Sequence, residues 1–385
     1  MISNITKKIE AVMRSRETAH LFSFESALFA ISRVYGGAVK LRETLYKNGI
    51  FRSRRLPCTV ISVGNLTVGG TGKTPMTIYI AQLVRHFGYS VAVVSRGYKG
   101  DAEKTGGIVS NGRIIFMTPD AAGDEPFMMA SRLEQVPVLV GKNRFASGML
   151  ARNEFNPDVL VMDDAFQHLK IKRDIDLVLL DARYPLGNRQ LLPRGLLREP
   201  VSALSRADAF ILTRSDSRES DRFAGVKRLA RGRPVFRSMH VSRRCYAVNG
   251  KHAESKITES SLSDCDGAVL KGRRVFVFSG ISDNADFRQT VERYGCRVTG
   301  FLEFPNHHPY SEKDFDRIRR SGEDAHAEFL ITTEKDYFRI AGRVQLSMAL
   351  VVIGIDPAFG EDEAPFTDYI KGRLEVLCKK NVSSR

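Results

Sequence analysis

A lysine followed by a threonine at the end of a glycine-rich turn has a well-defined chemical use, and Thr67-Val-Gly-Gly-Thr-Gly-Lys-Thr-Pro75 places the pair there. In such a turn the backbone N–H groups wrap a triphosphate, Lys73 reaches its outer phosphates, and the Thr74 hydroxyl ligates Mg²⁺. Thr67, Val68, Gly69, Gly70, Thr71, Gly72, Lys73 and Thr74 thus form a candidate nucleoside-triphosphate loop. Thr67 stands where the usual pattern has its first glycine, and Gly69 and Gly70 supply the backbone freedom instead. The plain alternative is a glycine turn with a solvated lysine.

Other residues could complete the chemistry. Val159-Leu-Val-Met-Asp163-Asp164 is an apolar run ending in two carboxylates, the arrangement that orients Mg²⁺ or its waters beside a phosphate loop. Gly123-Asp124-Glu125-Pro126 opens a helical segment. Two acids there can simply cap a helix dipole, but phosphoryl transfer to an alcohol also needs a proton acceptor and acids near metal. Phe304-Pro-Asn306-His307-His308-Pro-Tyr310 holds two of the eight histidines. Adjacent histidines diverge in extended chain, which disfavours a shared metal and leaves His307 free to tune a carboxylate. Arg96, Arg144, Arg194 and Arg198 follow strand-like runs, where guanidinium groups can clamp phosphates or merely solvate a surface.

The elements that must hold these residues are an alternation of apolar strands and helices. Cys58–Val63 precedes the loop, and a helical pattern from Met76 to Phe87 follows it and closes on Gly88. Val91–Val94, Val136–Val140, Val159–Met162, Leu177–Leu180 and Ala209–Leu212 repeat the strand pattern. The fold expected is α/β, a P-loop NTPase-type, mostly parallel sheet covered by helices, with ligands at the carboxyl ends of the strands. A second, smaller α/β domain begins with Arg274–Ser279 and continues through a helix near Ala285–Tyr294 to Phe329–Thr333 and Leu350–Ile353. The boundaries expected are an N-terminal amphipathic segment at 1–50, a kinase-type domain at 51–235, the smaller domain at 236–355 and a segment at 356–385 that can return to the first.

The chain has 385 residues, of which 43% are hydrophobic, so it can bury a sizeable core. A net charge of +15 points to an anionic partner: nucleic acid, bilayer or phosphorylated substrate. Five scattered cysteines without a C-x-x-C pair suggest a reducing compartment and speak against a zinc knuckle. Near the N-terminus, Leu21, Phe22, Phe24, Leu28, Phe29, Ile31 and Val34 are followed by Lys40, Arg42, Lys47, Arg52, Arg54 and Arg55. Glu25, Arg33 and Lys40 interrupt the stretch, which suits a helix lying on an anionic membrane better than one crossing it, or else a helix packed on the protein itself.

Taken together, Val63–Pro75, Ser95-Arg-Gly-Tyr98, Gly123–Pro126, Asp163-Asp-Ala-Phe-Gln-His168, Leu191–Pro200 and Asn306-His307 resemble the tetraacyldisaccharide 4′-kinase family, the lipid A 4′-kinases. The resemblance runs in the family's order over roughly residues 20 to 340. It implies ATP- and Mg²⁺-dependent phosphorylation of the 4′-hydroxyl of a tetraacylated glucosamine disaccharide 1-phosphate at the cytoplasmic face of the bacterial inner membrane, with no nucleic acid and no obligate protein partner. It further implies Lys73 and Thr74 as the phosphate-loop pair, Asp124 as catalytic base, Glu125 as its metal-associated neighbour and His307 as the histidine paired with the base. Asp163 matches the metal-binding acid, and Asp164, Gln167, Arg144 and Arg198 fall in motifs lining the cleft. Asp124 and His307 are expected to meet across the cleft between the two domains. The family commonly has aspartate, glycine and proline where this chain has Asn306, Ala165 and Leu196.

Two other classes compete. A P-loop switch ATPase has a similar loop, but those with a deviant loop carry a signature lysine before the paired glycines, where Val68 stands here. A nucleic-acid binder would explain the charge, yet no binding motif with interleaved aromatics is present.

Overall fold

The computed structural model describes residues 8–9, 11–13, 15, 23–215, 220–248, 262–264, 267–340 and 348–383; Leu21 and Phe22 lie outside them. Two compact units emerge. The first comprises Met1–Ser95, Asn143–Met239 and Pro357–Arg385, and the second Arg96–Lys142 and His240–Asp356. Against the expected boundaries, residues 96–142, read as part of the kinase-type domain, group with the second unit, and 1–50, read as a segment of its own, groups with the first, as does 357–385.

In chain order, the first unit begins with helix α1 (Phe24–Lys47), strand β1 (Thr59–Asn65), α2 (Lys73–His86) and β2 (Val91–Ser95). The chain then builds β3 (Gly107–Ser110), α3 (Asp124–Arg132) and β4 (Val138–Val140) in the second unit. It returns to the first with α4 (Arg144–Phe155), β5 (Val159–Asp163), β6 (Ile175–Asp181), β7 (Ala209–Thr213) and α5 (Ser220–Ala230). Strand β8 (Val235–Val248) carries it across again, merging the two short stretches expected at Pro234–Phe236 and Cys245–Val248. The second unit continues with β9 (Leu262–Asp264), β10 (Arg274–Ser279), α6 (Asn284–Glu292), β11 (Arg297–Glu303), α7 (Glu312–Asp324), β12 (Phe329–Thr333), α8 (Glu334–Ile340) and β13 (Ala349–Ala358). Helix α9 (Glu363–Ser383) closes the chain.

The first unit's sheet is parallel, in the order β2-β5-β1-β6-β7, with the start of β8 beside β7. Every residue of β1, β2 and β5 is buried, which explains why they read as unbroken apolar runs rather than alternating ones. Leu66, Phe166, Val178, Leu180, Phe210 and Leu212 form part of one cluster under the loops, each side chain contributing about 1.5–3 kcal/mol by leaving water. Helix α9 packs on the first unit through buried Phe366, Ile370 and Leu374, spaced by one helical turn, and Phe366 lies edge-on to Phe236 with ring centroids 5.1 Å apart.

The second unit has its own parallel sheet, β11-β10-β12-β13, while β3 pairs antiparallel with β4 and β8 with β9. Sequence pattern did not reveal β11, because Arg297-Val-Thr-Gly-Phe-Leu-Glu303 is half-buried in its middle, exposed at both ends and paired on one side with β10, leaving no apolar run to see. Among the free thiols are Cys58, Cys296 and Cys378, while Cys245 is placed in a disulfide.

Candidate active site

In the first unit the parallel register sets Val63 of β1 beside Asp163 at the end of β5, so the loop after β1 and the acids after β5 leave the sheet at the same edge. Gly72 has φ +79°, left-handed backbone that favours glycine, and immediately precedes α2. The loop is held from several sides. Asn65 Nδ2 donates to Thr71 Oγ1 at 2.9 Å, Val68 N to Leu196 O at 2.8 Å, and Arg214 Nη1 to Gly70 O at 2.8 Å. Thr67 forms a bridge with Leu197, and α2 starts at Lys73.

Lys73 Nζ stands 3.7 Å from Asp164 Oδ1, and Arg198 Nη1 lies 2.9 Å from both oxygens of the same carboxylate. Burial works to raise the Asp164 carboxyl, but Lys73 and Arg198 outweigh it and hold it at about 2. Asp163 is buried and accepts from Thr77 Oγ1 and Ser95 Oγ, each at 3.1 Å, while its backbone carbonyl accepts from buried Arg144 Nη2 at 3.2 Å. Gln167 Nε2 donates to Asn65 O at 2.8 Å. His168, half-buried and beside Arg144, is pushed down to about 4 by desolvation and that guanidinium.

These residues fit Mg²⁺ bound with a nucleotide. The Thr74 hydroxyl has no hydrogen-bond partner among the described residues, and Asp163 is oriented by two hydroxyls. No cluster of three or more acids, histidines or cysteines able to hold a metal alone occurs among the described residues. That suits an ion which takes one or two carboxylates, phosphate oxygens and water.

The second unit gathers a different set. Gly123, at φ +86°, turns the chain into α3 with Asp124 and Glu125 in the first turn, where acids suit the helix dipole. Their side chains do more than cap. Arg339 Nε donates to Asp124 Oδ2 at 2.7 Å, Arg339 Nη2 bonds the same oxygen, and His307 Nδ1 lies 3.0 Å from it. Lys335 Nζ donates to Glu125 Oε1 at 2.6 Å and stands 3.3 Å from His307 Nε2. Burial works against the charge on Asp124, yet the His307 hydrogen bond and the Arg339 guanidinium hold its carboxyl well below the usual range. Glu125 is likewise lowered, Lys335 overcoming burial and the repulsion of Asp124.

The expectation that Asp124 and His307 belong to different domains is thus corrected. They meet, but within one unit, because 96–142 folds with 240–356. Helix α8 makes the meeting specific: Phe338 packs edge-on to Phe127 of α3 at 5.6 Å between centroids, bringing Lys335 and Arg339 to the acids. His307 has φ +59°, and its backbone N donates to Gly280 O at 3.1 Å. The neighbouring His308 serves the fold, with Nε2 at 3.0 Å from Asp314 and its ring stacked on Phe304.

Sequence reading overlooked Lys335 and Arg339. The available signal was the charged Glu334-Lys-Asp-Tyr-Phe-Arg339 directly after an apolar strand, with two cations four residues apart and so on one helical face.

Helix α1 lies against the first unit by one side. Tyr35 Oη donates to Arg198 O at 2.8 Å, Arg42 Nη2 to Gln167 O at 3.0 Å, and Arg206 Nη1 to Glu43 Oε1 at 2.8 Å. Phe29, Ile31, Val34 and Leu41 remain exposed on it. Among the described residues no helix is long and apolar enough to cross a membrane.

A glycine-rich loop between a buried parallel strand and a helix, with acids at the end of the neighbouring strand, defines a P-loop nucleotide-binding α/β protein. Comparison with known proteins narrows the class. The family model for tetraacyldisaccharide-1-P 4′-kinase matches residues 24–375. The tetraacyldisaccharide 4′-kinase of Desulfatibacillum aliphaticivorans is 42% identical over 377 residues, covering 97% of this chain and 100% of that protein. That of Syntrophus aciditrophicus is 40% identical over 343 residues, covering 86% of this chain and 89% of that protein. The crystal structure of LpxK from Aquifex aeolicus in complex with ATP superposes with a TM-score of 0.71 at 30% identity, covering 91% of this chain and 100% of that one. The chain belongs to the tetraacyldisaccharide-1-P 4′-kinase family and is a kinase, not a switch ATPase.

Proposed function

We propose that the chain transfers the γ-phosphoryl group of ATP to the 4′-hydroxyl of a tetraacylated glucosamine disaccharide 1-phosphate, with Lys73 on the phosphates and Asp124 receiving the hydroxyl. The observation that carries this reading is the Thr67–Thr74 loop leaving the sheet beside Asp163 and Asp164 in a chain of this family. The hydroxyl oxygen attacks the γ-phosphorus, the bond from that phosphorus to the bridging oxygen breaks, and ADP leaves. The hydroxyl proton passes to Asp124 and then to water. A carboxylate held this low is a weak base. A loose phosphoryl-transfer transition state asks little of a base before the new bond is well formed, so Asp124 first serves to orient the nucleophile.

Thr74 and Asp163 of the first unit would hold Mg²⁺; for Glu125, in the second unit, the family motif alone supports a metal-associated role. When bound, the ion neutralises charge on the β- and γ-phosphates. Asp164 is fixed by Lys73 and Arg198 and holds the lysine in reach of the phosphates, while Arg144 supports the Asp163 turn. His307 orients Asp124. Gln167 and Arg198, to whose carbonyls α1 is bonded, would tie the substrate side of the site to that helix.

The exposed apolar side chains of α1, together with Lys40, Lys47, Arg52 and Arg54, support peripheral binding to an anionic bilayer, where the lipid substrate resides. This fits work at the cytoplasmic face of the inner membrane. The direct test incubates the full chain with ATP, Mg²⁺ and the disaccharide 1-phosphate in mixed micelles and reads the lipid by mass spectrometry. Addition of one phosphate at the 4′-position is expected; an unmodified lipid in well-dispersed micelles would refute the reading.

A further inference from the structure

The two oxygens of Asp124 have very different surroundings. Oδ2 receives Arg339 Nε and Nη2 and lies 3.0 Å from His307 Nδ1, whereas Oδ1 has no hydrogen-bond partner among the described residues. The carboxylate side chain is 10% exposed and Oδ1 is not among the buried oxygens that lack a partner, so the residual opening of Asp124 lies at Oδ1. An incoming hydroxyl would find Oδ2 already saturated and Oδ1 open.

Arg339 does not choose its orientation alone. Its Nη1 donates to Asp336 Oδ1 at 2.9 Å and to Gly280 O at 3.1 Å. Asp336 is fully buried, and its Oδ2 accepts from Thr333 Oγ1 at 2.7 Å and Gly280 N at 3.0 Å. A planar guanidinium bonded on three sides has one orientation left, which a lysine could not reproduce. Cations stand at both ring nitrogens of His307, Lys335 Nζ 3.3 Å from Nε2 and Arg339 Nη2 3.2 Å from Nδ1, so the same two side chains of α8 that hold the acids also hold the ring beside Asp124.

We propose that Arg339, held by Asp336, is a positioning residue that occupies Oδ2 of Asp124 and so presents Oδ1 to the substrate hydroxyl, while Lys335 stands behind the His307 ring that completes the same grip. The inference rests on the reading of Asp124 as the hydroxyl's acceptor. It assigns to a pair of cations on α8 a role that acts only through Asp124.

The experiment measures kcat and KM for the disaccharide, and the melting temperature, for full-length Arg339→Met, Arg339→Lys, Asp336→Asn and Lys335→Met, each in the wild-type and Asp124→Ala backgrounds. Single-turnover transfer of labelled γ-phosphate gives the slow rates. Arg339→Met should lower kcat by ~10²-fold with KM little changed, as a misplaced reacting group does. Arg339→Lys should recover part of that loss, and Asp336→Asn should show a smaller one. In the Asp124→Ala background all of these losses should shrink to about twofold or less, because the residue they act through is gone.

Losses that persist undiminished without Asp124, or an Arg339→Met enzyme within twofold of wild type, would overturn the inference. If Arg339→Met does not melt cooperatively, the Arg339→Lys and Asp336→Asn cycles decide by the same criterion. An inactive wild-type chain would instead refute the functional reading beneath it.

Discussion

Asp164 of the first unit and Asp124 of the second are two carboxylates that electrostatics treats alike and geometry treats differently. Each is pressed upward by burial and pulled down further by cations: Lys73 and Arg198 in one case, His307 and Arg339 in the other. Asp164 has both oxygens spanned by one Arg198 nitrogen at equal distance. Asp124 has every bond on Oδ2. A low pKa therefore does not separate a structural acid from a reactive one, but the distribution of donors over the two oxygens does. Asp164 is bonded to Arg198 and faces Lys73, whereas Asp124 has one oxygen without a partner among the described residues, the one proposed above for the substrate hydroxyl.

The largest effects should divide along that line. Lys73→Ala should lower kcat by ~10³-fold, since the ammonium counters charge that builds on the transferred phosphoryl group, and it should also weaken binding of a fluorescent ATP analogue. Asp124→Asn should lower kcat by ~10²-fold, within the range for losing a proton acceptor, and leave binding of that analogue unchanged. An Asp124→Asn enzyme that binds nucleotide as poorly as Lys73→Ala would erase the distinction between the two sites.

How much of this was legible in the sequence differs between the units for a physical reason. The first unit's acids and loop sit at the ends of fully buried parallel strands, so apolar runs announced where Lys73, Thr74, Asp163 and Asp164 must emerge. The second unit's site is assembled from residues 183 and 215 positions apart, on a seven-residue helix and a turn. No local period marks such a meeting. Asp124 and His307 were legible only through family motifs, Lys335 and Arg339 were missed, and the unit membership of 96–142 was misplaced because the chain leaves and re-enters the first unit without a composition shift.

A more modest effect sharpens the comparison. Because Asp124 and His307 touch within a single unit, Asp124→Ala and His307→Ala should not act independently. Removal of His307 alone should lower kcat by ~10-fold or more, and removal of both should cost little more than Asp124→Ala alone. Fully multiplicative losses would assign His307 to the substrate or to the fold of its left-handed turn instead of to Asp124.

The smallest expected effect lies away from both acids, on α1. Three side-chain bonds hold this helix, and two of them end on backbone carbonyls of Arg198 and Gln167, so its seat is anchored beside the first unit's site. Ile31, Val34 and Leu41 take no part in those bonds and are 54%, 76% and 60% exposed. Replacing all three with glutamate should therefore leave the seat and ATP-analogue binding intact, while removing apolar contact with a bilayer and adding repulsion from anionic headgroups. Flotation with vesicles containing phosphatidylglycerol should fall several-fold. Turnover on vesicle-borne lipid should fall with it, and less so on substrate in detergent micelles. High salt should weaken wild-type flotation without abolishing it, since only the basic residues' share is screened. Equal flotation of the variant and the wild type would mean that α1 does not meet the membrane, and that its exposed face has another use.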